Sequence, residues 1–288
     1  MKTLFLGFFI FILIIAVFFY FILELLLIRD KIDKSHNTYN LSNDGFTIIK
    51  NVLDDFEIND IITECSHKKY KDVKSKLINN IKIKNIITSY IGEQYKFQDY
   101  IWIIEKSSVH TCHRDNNGDF FNKGQKYPSY TALIYLEDMD KCLGVIPSSH
   151  KDINSNNVNL SNNVLNLLCD KGDIIIFNAN LIHVGTINEK DDNLRIQMKI
   201  THKDDIDKIP YYENFNKVLN NDNNLPKSFR IIQKNLSCAL PVLSNITQNE
   251  NIRTARGSDN GANIGIFQKM FSYLFYGNSN FYDLPNAF

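Results

Sequence analysis

The sequence has no excess charge of either sign. Its 288 residues include 32 lysines and arginines and 32 aspartates and glutamates, which gives a formal net charge of +0. The basic field that attracts nucleic acids is therefore missing, and we expect no nucleic-acid partner. The length suits a single domain of ordinary size in addition to a short N-terminal membrane segment.

Cysteine pairs at metal-binding spacing are also absent. The chain has five cysteines, and none of them is part of a CxxC pair. An odd number without that spacing argues against a disulfide framework and against a zinc ribbon. Cys112 precedes a histidine, but we interpret it as a small buried residue on the opposite face of a strand, not as a soft metal ligand.

Charge is missing from one long stretch near the N-terminus. Residues 4–23 carry no charge and are almost wholly apolar, which is long enough for a helix across a hydrocarbon core of ~30 Å. A cleaved signal peptide is the alternative, but the run is too long for one and no A-x-A-like site follows it. We expect a transmembrane anchor over residues 1–28 and a linker over residues 29–43, with a slight bias of the following domain toward the cytosol.

The remaining pattern combines a few helices with many short strands. After the Asp44-Gly45 turn signal, we expect a strand over residues 46–52 and helices over residues 54–65 and 73–90. Further strands are predicted over residues 100–105, 130–136, 145–146, 173–177, 183–187 and 194–202. Short strands without long helices between them predict an α+β, mainly β domain over residues 44–205, built as an antiparallel sandwich or barrel with flanking helices.

The last part of the chain, residues 206–288, shows a weaker pattern. One apolar stripe at helical spacing runs through it, made of Ile264, Phe267, Met270, Phe271, Leu274 and Phe275. Such a stripe fits a partner-docking or membrane-surface helix, although most such stripes face a protein core. We therefore predict a C-terminal extension that packs on the domain.

The spacing of His113 and Asp115 favours a metal site. Side chains alternate faces along a strand, so positions 113 and 115 point the same way and Arg114 points away. His183 lies downstream as a third candidate ligand. Two imidazoles and one carboxylate form the facial triad of non-haem iron(II) oxygenases, which leaves open positions on the metal.

The run His113-Arg114-Asp115 also matches the start of a protein-kinase catalytic loop. That loop requires Asn five residues after the Asp, whereas this chain has Phe120 at that position. The Asp-Phe-Gly motif is missing as well, because Asp119-Phe120 is followed by Phe121. We therefore reject the kinase interpretation.

Short segments around these residues occur in a defined order: Asp44–Leu53, His113-Arg114-Asp115, Gly144–Lys151, and Gly172–Phe177 leading to His183 and Arg195. In this order the chain resembles the phytanoyl-CoA dioxygenase family of iron(II)- and 2-oxoglutarate-dependent oxygenases. The resemblance extends over residues 44–203. It implies a double-stranded β-helix, which is a jelly-roll and cupin-like fold.

The resemblance also implies roles for individual residues. His113, Asp115 and His183 are then iron(II) ligands, 2-oxoglutarate and O2 are co-substrates, and Arg195 pairs with the distal carboxylate of 2-oxoglutarate. A guanidinium suits this role because it binds a carboxylate through two parallel hydrogen bonds. Gly185 stands where the family often has a serine that helps to hold 2-oxoglutarate, and Thr186 is the expected substitute.

The expected function is a membrane-anchored dioxygenase that hydroxylates a small-molecule or lipid-like substrate and releases succinate and CO2. Asp115 favours hydroxylation because related halogenases have a small residue in its place. His150, in the Gly144–Lys151 turn, is expected to lie outside the metal shell. The alternative is a catalytically inactive protein of the same fold that binds or scaffolds at a membrane, and Gly185 keeps that alternative open.

Overall fold

The computed structural model of the protein describes residues 2–26, 31–32, 38–106, 112–115, 125–151, 164–190, 192–208 and 225–239, and the single residues 266, 270 and 273. The helices of these ranges are α1 (Lys2–Leu26), α2 (Leu41–Asp44), α3 (Asp55–Ser66), α4 (Tyr70–Asn79), α5 (Ile81–Tyr90) and α6 (Lys227–Ala239). The strands are β1 (Lys31–Ile32), β2 (Phe46–Ile49), β3 (Tyr95–Lys106), β4 (Tyr130–Tyr135), β5 (Leu143–Val145), β6 (Leu165–Leu167), β7 (Ile174–Asn178), β8 (His183–Gly185) and β9 (Asp192–His202). Short 3₁₀ turns lie at Ser149–Lys151 and Lys203–Lys208.

The strands form two sheets. One has five strands in the order β2-β7-β4-β9-β3, and all its pairs are antiparallel. The other has the order β1-β6-β5-β8 and is antiparallel except for the β1–β6 pair. Residues of both sheets share one buried cluster, for example Phe177 of β7 and Leu143 of β5. Two facing, mainly antiparallel sheets of this kind fit the predicted jelly roll.

Strand β7, inside the five-stranded sheet, is apolar on both faces. In β7, Ile175 and Phe177 point toward the other sheet, whereas Ile174 and Ile176 belong to a second cluster with the helices. That second cluster takes in buried residues of α3, α4 and α5, such as Ile61, Leu77, Ile83 and Ile87. A strand covered on both faces needs an unbroken apolar run, which explains the sequence Ile-Ile-Ile-Phe in β7.

Side-chain caps set the helix boundaries. The Asp54 carboxylate accepts from the Glu57 N–H, and the Glu57 carboxylate accepts from the Asp54 N–H, both at 3.0 Å. This capping box begins α3 where the sequence predicted a helix. The single helix predicted over residues 73–90 is wrong, because the structure has two helices. The Asn80 side chain accepts from the Lys82 and Ile83 N–H groups, so it caps the start of α5 and separates it from α4.

The N-terminal helix α1 has described side chains for residues 6–20, and all of them are exposed. Counted over the described residues, no helix reaches the length and apolarity of a membrane span. The transmembrane part of the predicted fold is therefore not supported.

Helix α6 is the main described element of residues 206–288. Its Cys238 is buried together with Cys112 and Ile146, and its Ser237 hydroxyl accepts from the Cys112 N–H at 2.9 Å. The extension therefore packs beside the segment that contains His113. Most of the predicted apolar stripe lies outside the described residues; of its members, Met270 is described and is 61% exposed.

Candidate metal centre

His113 and His183 are brought together by the main chain. The N–H of each residue donates to the carbonyl of the other, and both N–O distances are 2.9 Å. His183 also pairs with Val145 in the next strand of the sheet. The segment of His113 therefore extends the four-stranded sheet beyond β8, and its position is set by backbone hydrogen bonds.

Arg114 points away from the two residues that flank it, as the strand alternation predicted. Its side chain is buried and donates hydrogen bonds to the carbonyl oxygens of Ser149, at 2.9 Å, and of Asn180. These carbonyls belong to the turn after β5 and the turn before β8. Arg114 thus ties the His113–Asp115 segment to the two turns beneath it.

The three predicted ligands converge. Asp115 Oδ1 lies 3.6 Å from Nε2 of His113 and 3.6 Å from Nε2 of His183. One ligand atom from each residue lies within 4.8 Å of the others, so the three residues could hold a metal ion. Neither Cys112 nor His150 belongs to this group.

His183 is prepared to bind a metal through Nε2. Its Nδ1 lies 3.0 Å from the Leu181 carbonyl oxygen, which fixes the proton on Nδ1 and leaves the Nε2 lone pair free. Burial, and then the neighbouring His113, lower the pKa of His183 to about 4. The imidazole is therefore neutral near neutral pH, which is the form that coordinates metals.

Asp115 carries two further contacts that the sequence analysis missed. Its Oδ2 accepts from the Thr131 hydroxyl at 2.7 Å and from Lys199 Nζ at 2.6 Å. Lys199 Nζ also donates to Thr131 Oγ1 at 2.8 Å. Burial alone would raise the pKa of Asp115, but the charge of Lys199 and the two histidines hold it well below its usual value. The carboxylate is therefore ionised.

The pattern of β9 was the signal that could have revealed Lys199. Arg195, Gln197 and Lys199 alternate with apolar residues that pack against the helix side of the sheet. Arg195 pairs with Tyr135, and Lys199 pairs with Thr131, in the neighbouring strand β4. Tyr135 belongs to the cluster between the sheets, so the polar face of β9 points into the jelly roll instead of into solvent.

Among the described residues, the side chains of Arg195 and Tyr135 lack hydrogen-bond or ion-pair partners that they could have. Arg195 donates to the Asn193 side chain, and among the described residues no carboxylate lies within 4 Å of its guanidinium. The Tyr135 hydroxyl is buried and has no hydrogen-bond partner in the described part of the chain. A buried hydroxyl without a partner is costly unless a ligand satisfies it, and a half-buried cation without a carboxylate partner attracts an anion. Both residues fit a bound carboxylate.

Thr186 is placed differently from the expectation. Its hydroxyl donates to the Lys141 carbonyl at 2.8 Å and accepts from the Asn188 amide at 3.1 Å. Asn188 in turn accepts from the Lys141 N–H at 2.9 Å. Thr186 therefore joins two loops, and its predicted contact with 2-oxoglutarate stays a prediction.

The Gly144–Lys151 turn supports the fold next to the site. Ser148 in this turn has a left-handed backbone with a φ of 64°. Its hydroxyl donates to the Asn43 carbonyl at 2.8 Å. His150 lies 3.1 Å from the Ser42 carbonyl and packs on Gly45, where a Cβ would come within 2.5 Å of its ring. The turn therefore binds α2, outside the metal-ligand group.

Comparisons with known proteins give structural neighbours only. No family model and no curated protein matches the chain. HygX from Streptomyces hygroscopicus, solved with nickel and 2-oxoglutarate bound, is 18% identical with a TM-score of 0.46, over 56% of this chain and 84% of that one. The α-ketoglutarate-dependent epimerase SnoN of nogalamycin biosynthesis is 15% identical with a TM-score of 0.48, over 57% of this chain and 80% of SnoN.

A third neighbour, the α-ketoglutarate-dependent carbocyclase SnoK, is 16% identical with a TM-score of 0.47, over 56% of this chain and 81% of SnoK. HygX has also been solved with iron bound, and SnoN with Fe3+ and α-ketoglutarate. Similarity at this level does not decide the function of the chain, which depends on the geometry of its own site.

Proposed function

We propose that the protein is an iron(II)- and 2-oxoglutarate-dependent dioxygenase that hydroxylates a small organic molecule. The observation that carries this proposal is the convergence of His113, Asp115 and His183 ligand atoms within 4.8 Å. Two imidazoles and one carboxylate are the ligand set of non-haem iron(II) oxygenases. The set occupies one side of an ion and leaves the other side for co-substrate and O2.

The donor chemistry of the site fits iron(II). Nε2 of His183 is unprotonated because Nδ1 donates to Leu181, and Asp115 is ionised. An all-oxygen site of the kind that binds Mg2+ or Ca2+ would look different. When bound, the iron would supply the oxidative decarboxylation of 2-oxoglutarate to succinate and CO2 and the transfer of oxygen to the substrate.

The inner face of β4 and β9 fits the 2-oxo acid. Arg195 would hold the distal carboxylate, because it is a cation without a carboxylate partner among the described residues. The partnerless hydroxyl of Tyr135 lies across the strand pair and would donate to the same carboxylate. In this proposal Arg195 and Tyr135 together bind 2-oxoglutarate, whereas the sequence analysis expected Arg195 and Thr186 to do so.

The N-terminal helix α1 bears on the location of the protein. The side chains of residues 6–20 in α1 are apolar and exposed, for example Phe9, which is 66% exposed. We propose, as the sequence analysis expected, that this helix anchors the protein at a membrane with the domain on the cytosolic side, and that the substrate is a small or lipid-like molecule. Full-length protein should remain with membranes after an alkaline wash, whereas the L13D/I14D double variant should be released. Recovery of the unsubstituted protein in the soluble fraction would contradict this location.

Succinate formation tests the enzymatic proposal. The full-length protein, supplied with iron(II) and 2-oxoglutarate, is expected to release succinate and CO2 in the presence of a suitable member of a metabolite panel. His113→Ala should abolish this turnover, and the exposed His67→Ala should leave it unchanged. Metal-dependent turnover that survives His113→Ala would show that the site is wrong. Binding of metal and 2-oxoglutarate without any decarboxylation would favour the inactive scaffold.

A further inference from the structure

The two carboxylate oxygens of Asp115 face different partners. Oδ1 is 3.6 Å from both histidine Nε2 atoms, so it points toward the metal position. Oδ2 is held by Thr131 at 2.7 Å and by Lys199 at 2.6 Å. The side chain of Asp115 is 10% exposed and that of Lys199 is 11% exposed, so water competes little for these bonds.

Lys199 is fixed by more than its ion pair. Its Nζ also donates to Thr131 and lies 5.9 Å from the centre of the Trp102 ring. Thr131 and Lys199 are direct cross-strand partners in β4 and β9. The two donors that hold Oδ2 therefore belong to the rigid sheet and not to the loop that carries Asp115.

We propose that Lys199 and Thr131 keep Asp115 as a one-oxygen ligand and so preserve an open coordination position on the metal. They are positioning residues, because they act through Asp115. The inference rests on the proposed function, since it concerns the same metal centre. It goes further by assigning a task to two residues that no ligand motif includes.

The second carboxylate oxygen of Asp115 matters because a metal ion has a limited number of coordination positions. If iron(II) binds with six ligands, His113, His183 and one oxygen of Asp115 would supply three of them, and a chelating 2-oxo acid would supply two more. The last position is the one that O2 requires. A carboxylate free to rotate could bind through both oxygens, as carboxylates often do. Two donors on Oδ2 prevent that rotation.

Because Lys199 is charged, its role in positioning Asp115 can be distinguished from a merely structural role. A cation beside the ligand carboxylate opposes the approach of a metal cation, so its removal should not weaken metal binding. Removal should instead let Oδ2 reach the metal and compete with the 2-oxo acid. A general loss of structure would weaken both metal and 2-oxo acid binding.

Cobalt(II) titrations of the full-length protein test the inference, because the visible absorption of cobalt(II) reports its coordination. Lys199→Met should bind cobalt(II) at least as tightly as the unsubstituted protein, with a changed spectrum. Its affinity for 2-oxoglutarate should fall at least tenfold. Thr131→Val, which removes one donor and keeps the shape, should show the same changes to a smaller degree.

Lys50→Met is the matched control. Lys50 Nζ lies 2.6 Å from the buried Asp173, so this variant also breaks a short lysine–aspartate pair. It should keep the cobalt spectrum and the affinity for 2-oxoglutarate. Unchanged spectra and 2-oxoglutarate affinities in Lys199→Met and Thr131→Val would overturn the inference. An unsubstituted protein that binds no cobalt(II) in a His113-dependent way would instead overturn the metal centre itself.

Discussion

His113 and His183 each donate a backbone hydrogen bond to the other at 2.9 Å, while their Nε2 atoms lie at equal distances of 3.6 Å from Asp115 Oδ1. The spacing of the imidazoles is therefore set by a β-bridge. A preorganised ligand set of this kind does not depend on flexible side chains finding each other.

Arg114 should stabilise this arrangement. Arg114→Met removes the hydrogen bonds to the Ser149 and Asn180 carbonyls. Because hydrogen bonds from charged groups are the stronger ones, we expect the free energy of unfolding to fall by about 1.5–3 kcal/mol. Urea denaturation measures this change. Lys151→Met, at an exposed position of the same turn, should stay close to the unsubstituted protein, and equal midpoints for both variants would contradict the anchoring role.

Gly172 should not tolerate a side chain. It has a φ of +87°, and a Cβ there would lie 2.4 Å from the Leu53 carbonyl oxygen. Gly92 also has a positive φ, of +119°, but among the described residues, its two chain neighbours apart, no heavy atom lies within 4 Å of its Cβ position. Gly172→Ala should therefore cost about 1–3 kcal/mol more than Gly92→Ala, because only the first adds a backbone clash to the strain. Thermal unfolding of the two variants measures the difference, and equal losses would show that the clash is relieved.

Arg195 and Tyr135 should control the affinity for 2-oxoglutarate. In cobalt-loaded protein, Arg195→Met should raise the dissociation constant by about 100-fold, since a charged pair of hydrogen bonds is lost. Tyr135→Phe should raise it by about tenfold or more, because one hydrogen bond to a charged carboxylate is lost. Isothermal titration calorimetry measures both.

Two control variants test whether the change in 2-oxoglutarate affinity comes from the hydroxyl of Tyr135. Tyr130 lies on the opposite face of β4, so Tyr130→Phe should leave 2-oxoglutarate binding unchanged. Thr186→Val tests the residue that the sequence suggested. A larger loss of affinity in Thr186→Val than in Tyr135→Phe would return the role to Thr186.

The cysteines should resist modification in the native protein. All five are free and buried. Burial is the main cause that raises the pKa of Cys65 to about 11 from its usual 9.0, so its thiol stays protonated at pH 8. A thiol reagent at pH 8 should modify none of the five in the folded protein and all five in denaturant. Rapid reaction of the native protein would contradict this burial.

The raised pKa of Cys65 also makes the stability of the protein depend on pH. The folded pKa of Cys65 lies above the unfolded value, so its contribution to stability is present below pH 9.0 and is lost as the pH rises toward about 11. Cys65→Ala should flatten the alkaline fall of the unfolding free energy between these values. An unchanged slope would show that other groups dominate it.

Local sequence patterns were sufficient to predict the candidate metal ligands and most of the helices and strands. His113 and Asp115 could be paired because a strand places alternate residues on one face, and the helix predicted from residue 54 matches the start of α3. The break at Asn80 was missed because the apolar spacing of α4 and α5 continues across it. Strand β6 (Leu165–Leu167) was missed because it is short and follows an Asn-rich stretch.

The sequence by itself determined the types of the candidate ligands, the positions of most strands along the chain and the alternation of polar and apolar residues in β9. Alternation defines two faces, but it does not say which one is inside. Only the tertiary structure decided that Arg195 and Lys199 face the interior, because the helices α3 to α5 cover the apolar face of the same sheet. The contact of Lys199 with Asp115 follows from that packing, which joins residues distant in the chain, and so does the burial of the Tyr135 hydroxyl, which has no hydrogen-bond partner among the described residues.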